Sequence, residues 1–489
     1  MTVSWPYIYF DEAVMLFNSP EFIFIFLPLT VVVYNYLLRS WGGSSTIFFI
    51  LLVSLVFYGY NCIYGLPILC FATVLNFYCG KNLATVNRFR HVTFVIVVTF
   101  NVCLLGYFKY VNFFLETLYA VSGKAFQLQS IAVPLGISFF VFQQIAYLSD
   151  MYKKTFNQVG VSFIDYCCFS FFMPNIVSGP IVHCSEIVPQ FFCKLDDNQK
   201  FKNYYFAIII FSIGLAKKVI VADSLSPIAH LCFDDLGTLT FMEAVFGSLA
   251  YTLQLYFDFS GYSDMALAVA LLFNVQLPWN FNSPYLATDI QAFWRRWHIT
   301  LSVWLRDHLY IPLGGNRRGS VRALVNIVVT FLIGGLWHGA AWTFVVWGAM
   351  HGMALAVHRV WKLVVPFRLP AYCGWLLTFG FVNAAWIVFR APDMNRVGVF
   401  FKALSGRAGF FFSIEFRGMV ISRTIFYDFT TACIFLAGAL SLVFLKNTQG
   451  LAQYYLNRYF RIMIGLTFIG SIYFMLRPNS ASQFLYFQF

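Results

Sequence analysis

Long apolar runs alternate with short polar, Arg- and Lys-bearing segments along almost the whole chain. Runs of about 20 apolar residues, the length that crosses a bilayer as a helix, fall near 21–38, 46–63, 65–80, 91–115, 131–151, 161–180, 204–222, 241–273, 322–337, 340–361, 371–390, 428–445 and 459–476. Several are interrupted by Gly and Pro: PLGIS at 134–138, MPNIVSGP at 173–180, FDFSGYSD at 257–264 and IGG at 333–335. Irregular backbone at membrane depth is tolerated where it is buried in protein or lines a wet cavity. Each Gly taken alone is equally a close-packing point between helices, but the four together predict broken helices around a central cavity. Between Asp289 and Leu309 the pattern changes. Trp294, Trp297, Leu301, Trp304 and Leu305 recur near helical spacing, while Arg295, Arg296 and Arg306 interrupt them. This spacing predicts one amphipathic helix at the membrane interface.

Composition settles the class. Of 489 residues, 60% are hydrophobic and 20% aromatic, only 11% are charged, and the mean hydropathy is +0.72. A water-facing globular surface does not tolerate such values, so the expectation is an all-α polytopic membrane protein embedded in a lipid bilayer. The net charge of +12 therefore reads as Lys and Arg in short cytoplasmic loops and not as a nucleic-acid footprint. If the loops carrying Lys81, Arg88, Arg90, Lys153, Lys154, Arg295, Arg296, Arg306, Arg317, Arg318 and Arg322 face the cytoplasm, the first helix runs inward from an external N-terminus. Eleven scattered Cys without paired CxxC spacing read as buried small hydrophobes, with no metal site or disulfide assigned. The start lacks a basic n-region and a cleavage site, so no removable signal is expected.

Among the eight histidines, His338 stands out because FLIGGLWHGAAWTFVVWGAMHG at 331–352 is otherwise apolar enough to lie within the membrane. An ionisable ring at that depth is costly without a partner or a task, and desolvation favours the neutral form that a general base requires. From position alone, a base and a core histidine bonded to a carbonyl are equally open readings. His298, within WRRWHITLSVWLRD, is a weaker signal. His91, His230 and His358 lie near predicted helix ends and read as interfacial. Asp258 and Asp264 need a cationic or backbone partner at their depth, which points to ion pairing. No HExxH, GxSxG, Walker A or strand-to-helix GxGxxG occurs, which removes those routes to hydrolysis and nucleotide binding.

FWRRWHITLSVWLRDHLYIPLGGNRRG at 293–319, GGLWHGAAWTFVVWGAMHG at 334–352, PLGISFFVFQQIAYLSDMY at 134–152, SGPIV at 178–182 and DFSGYSDMA at 258–266 together resemble the membrane-bound O-acyltransferases, in particular the branch that acetylates alginate and peptidoglycan. The resemblance implies roughly 11–13 transmembrane or re-entrant helices around a central tunnel, in a single membrane domain spanning 1–489 with its catalytic core at 289–361. It implies His338 as the catalytic histidine and His298 as the second active-site position. It further implies a place in the bacterial inner membrane, acetylation of an extracytoplasmic polysaccharide, and no bound cofactor. Acetyl-CoA or another acyl thioester is then the donor substrate, whose phosphates Arg295, Arg296, Arg317 and Arg318 would complement. MLFNSPEFIFIFLP from Met15 resembles the usual start of this family, which leaves 1–14 as either an extension or a mis-called start. The terminal FLYFQF at 484–489 is similar to the C-terminal motif of the small membrane partner in teichoic-acid D-alanylation. That implies Tyr486 as an acyl carrier between this protein and an extracytoplasmic SGNH-type acetyltransferase partner. A transporter or flippase, with broken helices and intramembrane polar groups of its own, and an acyltransferase for teichoic acid or lipid are the competing readings.

Overall fold

The computed structural model describes residues 15–40, 43–85, 88–123, 128–154, 161–193, 195–367, 369–477 and 484–485. The proposed extension at 1–14 and Tyr486 lie outside them. The described residues form helices joined by loops, without a strand, as expected where every backbone polar group must be satisfied within lipid. Among the described residues six helices are long and apolar enough to cross a bilayer: Phe22–Ser40, Ser44–Asn61, Arg90–Ser122, Asp197–Asp235, Ser320–His338 and Ala371–Arg390. The chain is a multi-pass membrane protein. It groups into two compact units, one formed by the chain up to Phe211 with Tyr262–Trp279, the other by Ser212–Gly261 and Asn280–Leu485.

The first unit is organised around Ile137–Lys153, which buries 13 of its 17 residues. A helix apolar on all sides belongs in a core, and the buried amide of Gln144 is satisfied there, donating to Ser170 and accepting from Tyr166. Gly136 starts this helix in the left-handed region at φ +71°, and a Cβ there would lie 2.2 Å from the Ile176 carbonyl oxygen, so both conformation and contact demand glycine. Arg90–Ser122 is the opposite case. It exposes Val92, Val95, Ile96 and Val102, as a lipid-facing span does. Phe17, Phe22, Phe57 and Tyr262 form an aromatic cluster with centroids 4.9–5.9 Å apart, and beside it Asn61 accepts the Met15 backbone N–H at 2.8 Å.

In the second unit, Ser320–His338 and Trp342–Val364 form a tight antiparallel hairpin. A Cβ on Gly335 would lie 2.3 Å from the Phe344 carbonyl oxygen and 3.1 Å from the Gly348 Cα; one on Gly348 would lie 2.4 Å from the Phe331 carbonyl oxygen; one on Gly352 would lie 2.9 Å from the Val328 Cα. Small residues let two membrane helices approach backbone to backbone. That corrects the expectation of a break at IGG, which is continuous helix. FDFSGYSD is likewise uninterrupted within Phe241–Leu272, where Gly261 is needed because a Cβ would lie 2.7 Å from the Gly214 carbonyl oxygen. PLGIS and MPNIVSGP do carry irregular backbone: the span expected at 161–180 breaks at Phe172 into Phe163–Phe171 and Met173–Ile176, and the rest of MPNIVSGP is non-helical.

Candidate functional site

The amphipathic segment is not one helix. Asp289 caps Ile290–Trp294 by accepting the Ala292 N–H at 2.7 Å; the chain then breaks over Arg295–His298 and resumes as Ile299–Leu305. At the break His298 takes φ +42°, ψ +56°, a left-handed conformation that costs a non-glycine residue about 1–3 kcal/mol and persists only where the surroundings hold it. Asn280 holds it. Its carbonyl oxygen accepts the Ile299 N–H at 3.0 Å, and its side-chain Oδ1 accepts the Thr300 N–H at 3.2 Å and the Thr300 hydroxyl at 3.0 Å.

The same Oδ1 lies 3.1 Å from His298 Nδ1. An oxygen already accepting a backbone N–H can only accept, so Nδ1 carries the proton and the lone pair sits on Nε2, across the ring. His298 is fully buried, and burial pushes its pKa down to about 3. A neutral ring of such low basicity is suited to accepting a hydrogen bond at Nε2 and so positioning a donor, more than to taking up and holding a second proton. Asn280, which pattern reading passed over, is the residue that sets this state. We expect Asn280→Ala to destabilise the protein by about 2–3 kcal/mol, the sum of the lost hydrogen bonds. Asn280→Asp, which accepts from the same three donors, should retain most of the stability and activity. Thermal unfolding in detergent together with turnover checks both, and equal losses in the two variants would remove Asn280 from this role.

His338 closes Ser320–His338, and Gly339 follows because a Cβ there would lie 2.0 Å from the Phe344 ring. The imidazole is buried among Trp337, Trp347 and Phe389, with centroids at 4.9, 5.1 and 5.2 Å. Trp347 also lies 4.8 Å from His351, whose Nδ1 accepts the Trp294 indole N–H at 3.2 Å. His351 is thus a neutral Nε2–H tautomer tying the first amphipathic turn to the hairpin. Trp337 links the two histidines of interest, 6.2 Å from His298 and adjacent to His338. Phe259 lies 4.9 Å from His298 and 6.1 Å from Phe484, so the buried residues Phe484 and Leu485 sit one ring away from the His298 pocket.

Arg295, Arg317 and Arg318 are exposed and Arg296 is half-buried, all within the second unit. Gly314 at φ +111° and Gly315 at φ +52° shape the turn that carries Arg317 and Arg318, and Asn326 pins it by donating to the Leu313 and Gly315 carbonyls. The remaining histidines have local partners: His183 with Asp150 at 2.8 Å, His308 with the Trp304 carbonyl at 3.1 Å, His358 with Asp289 at 3.4 Å, His230 with Asp234 and Asp235, and His91 with the Tyr152 hydroxyl at 3.3 Å.

The membrane-bound O-acyltransferase family profile matches residues 91–398. The chain is 38% identical over 518 residues to a peptidoglycan O-acetyltransferase of Helicobacter pylori, covering 97% of this chain and 98% of that protein. It is 39% identical over 390 residues to a probable alginate O-acetylase of Azotobacter vinelandii, covering 78% and 76%. A more distant similarity, 26% over 249 residues, covers 48% of this chain and 58% of a teichoic acid D-alanyltransferase of Streptococcus thermophilus.

Proposed function

The chain belongs to the membrane-bound O-acyltransferase family, and from that premise we propose that it carries an acetyl group from a cytoplasmic thioester, acetyl-CoA, across the bacterial inner membrane for O-acetylation of an envelope polysaccharide. It is an acyltransferase of the membrane. Peptidoglycan is the first acceptor to test, because the similarity to the Helicobacter protein runs nearly end to end; an alginate-like polymer is the second. The observation that carries the reading is the assembly, within one compact unit, of His338, His298 and Phe484 and Leu485, the first two residues of FLYFQF.

In this reading the thioester docks at Arg295, Arg296, Arg317 and Arg318, whose cations complement its phosphates. His338 takes the proton of the Tyr486 hydroxyl, which with an unassisted pKa of about 10 is otherwise a poor nucleophile at neutral pH. The phenolate oxygen attacks the thioester carbonyl, the carbon–sulfur bond breaks, and the thiolate leaves with the proton returned by His338. The resulting ester is offered to an extracytoplasmic SGNH-type acetyltransferase, which passes the acetyl group to the glycan. His298, its lone pair directed by Asn280, orients a donor beside the reacting carbonyl. Apolar and aromatic walls around both rings exclude the water that would hydrolyse the thioester.

Incubating the purified protein with isotopically labelled acetyl-CoA tests this reading. The expected result is release of free CoA and a labelled C-terminal peptide by mass spectrometry. Movement of a glycan precursor across proteoliposomes without thioester consumption would instead make the protein a carrier.

A further inference from the structure

We propose that Asp258, held by Lys218, is the anchoring site for the C-terminal tail and sets the register in which the tail enters the site. Asp258 lies in the middle of Phe241–Leu272 and is buried. Its Oδ1 receives the Lys218 ammonium at 2.7 Å, and its Oδ2 accepts the backbone N–H of Leu485 at 3.0 Å. Lys218 also reaches Asp223 at 2.8 Å, so one ammonium bridges two carboxylates. A buried carboxylate is costly unless donors reach its oxygens, and the tail supplies one for Asp258 Oδ2.

The surroundings are shaped for this contact. Lys218 sits on the π-helical turns Lys217–Ala222, an irregularity that often accompanies functional positions, and Gly261 allows Phe241–Leu272 to pack against it, since a Cβ there would lie 3.1 Å from the Lys217 Cβ. Phe484 is buried against Phe259, one helix position beyond Asp258. The ring supplies apolar affinity, which tolerates sliding. The carboxylate grips one particular backbone N–H, which does not. A clamp on residue 485 fixes where residue 486 begins, within the roughly 3.5 Å that one residue spans. Asp258 is therefore a positioning residue for the tail. Its consequence for transfer rests on the Tyr486 reading above; the anchor itself does not.

The test is amide hydrogen exchange of the C-terminal peptide in the full-length protein, read beside glycan acetylation. Asp258→Ala should speed exchange of that peptide by about tenfold or more, the loss of a hydrogen bond to a charged group, and lower acetylation in parallel, while Ser320–Val364 peptides keep wild-type protection. Because Asp258→Ala disturbs a buried ion pair, Leu485→Pro provides the second variant: it deletes the N–H and leaves the Lys218–Asp258–Asp223 cluster intact. It should release the tail to the same extent, and the double variant should be no more exposed than either single one, because both remove one shared bond. Additive effects, or an unchanged tail in both single variants, would overturn the anchor. If the tail is released but Tyr486→Phe acetylates normally, the relay fails and the anchor stands.

Discussion

Replacing His338 by alanine is expected to abolish acetyl transfer, lowering it by about 10²- to 10⁴-fold, the usual contribution of a general base, with the protein still inserted at near-normal levels. The ring contacts Trp337, Trp347 and Phe389, so alanine also leaves a cavity, and part of any loss in yield would be packing. His338→Asn separates the two effects, because it fills much of the space and remains polar but cannot cycle a proton near neutral pH. Acetylation should be lost in both variants, while membrane abundance drops, if at all, only in the alanine one. Near-wild-type acetylation in His338→Asn would make His338 a core histidine of the hairpin and leave the base to be found elsewhere.

The helices were legible because a bilayer demands both a length and an apolar content. The run at 371–390 is the helix Ala371–Arg390, and those at 241–273 and 322–337 end within two residues of the observed helices. Glycines misled where they served packing. Gly335 and Gly261 look like breaks in a one-dimensional reading, yet each sits in regular helix because another backbone approaches it, and nothing local distinguishes an approach from an interruption. The converse error occurred at His298. WRRWHITLSVWLRD keeps helical spacing through the break, since the left-handed turn is enforced by Asn280, 18 residues upstream. The available signal is compositional: Asn280 stands between Trp279 and Phe281 in PWNFNSPY, and a buried amide there requires partners. In sequence Asp258 reads as half of an ion pair, and Lys218 supplies the other half. Its second contact, to a backbone amide 227 residues away, has no signature in sequence spacing.

Tyr486→Phe is the other change with a large expected effect, because it removes one oxygen atom and nothing else. The aromatic ring, the tail length and the upstream contacts of Phe484 with Phe259 and of Leu485 with Asp258 are all retained, so membrane abundance and tail protection should match the wild type. If the hydroxyl carries the acetyl group, phenylalanine offers no atom on which the ester can form, glycan acetylation should fall to background, and the labelled C-terminal peptide should disappear. The comparison with His338→Asn is informative, since that variant keeps the acceptor oxygen and loses the proposed base. Both should lack the labelled peptide, but an activated thioester analogue with a better leaving group should recover label in His338→Asn and never in Tyr486→Phe. Acetylation that persists in Tyr486→Phe would exclude an obligatory relay through the tail, and the acetyl group would then pass directly from the His338 pocket to the extracytoplasmic partner, with Phe484 and Leu485 serving only to seal that end of the site.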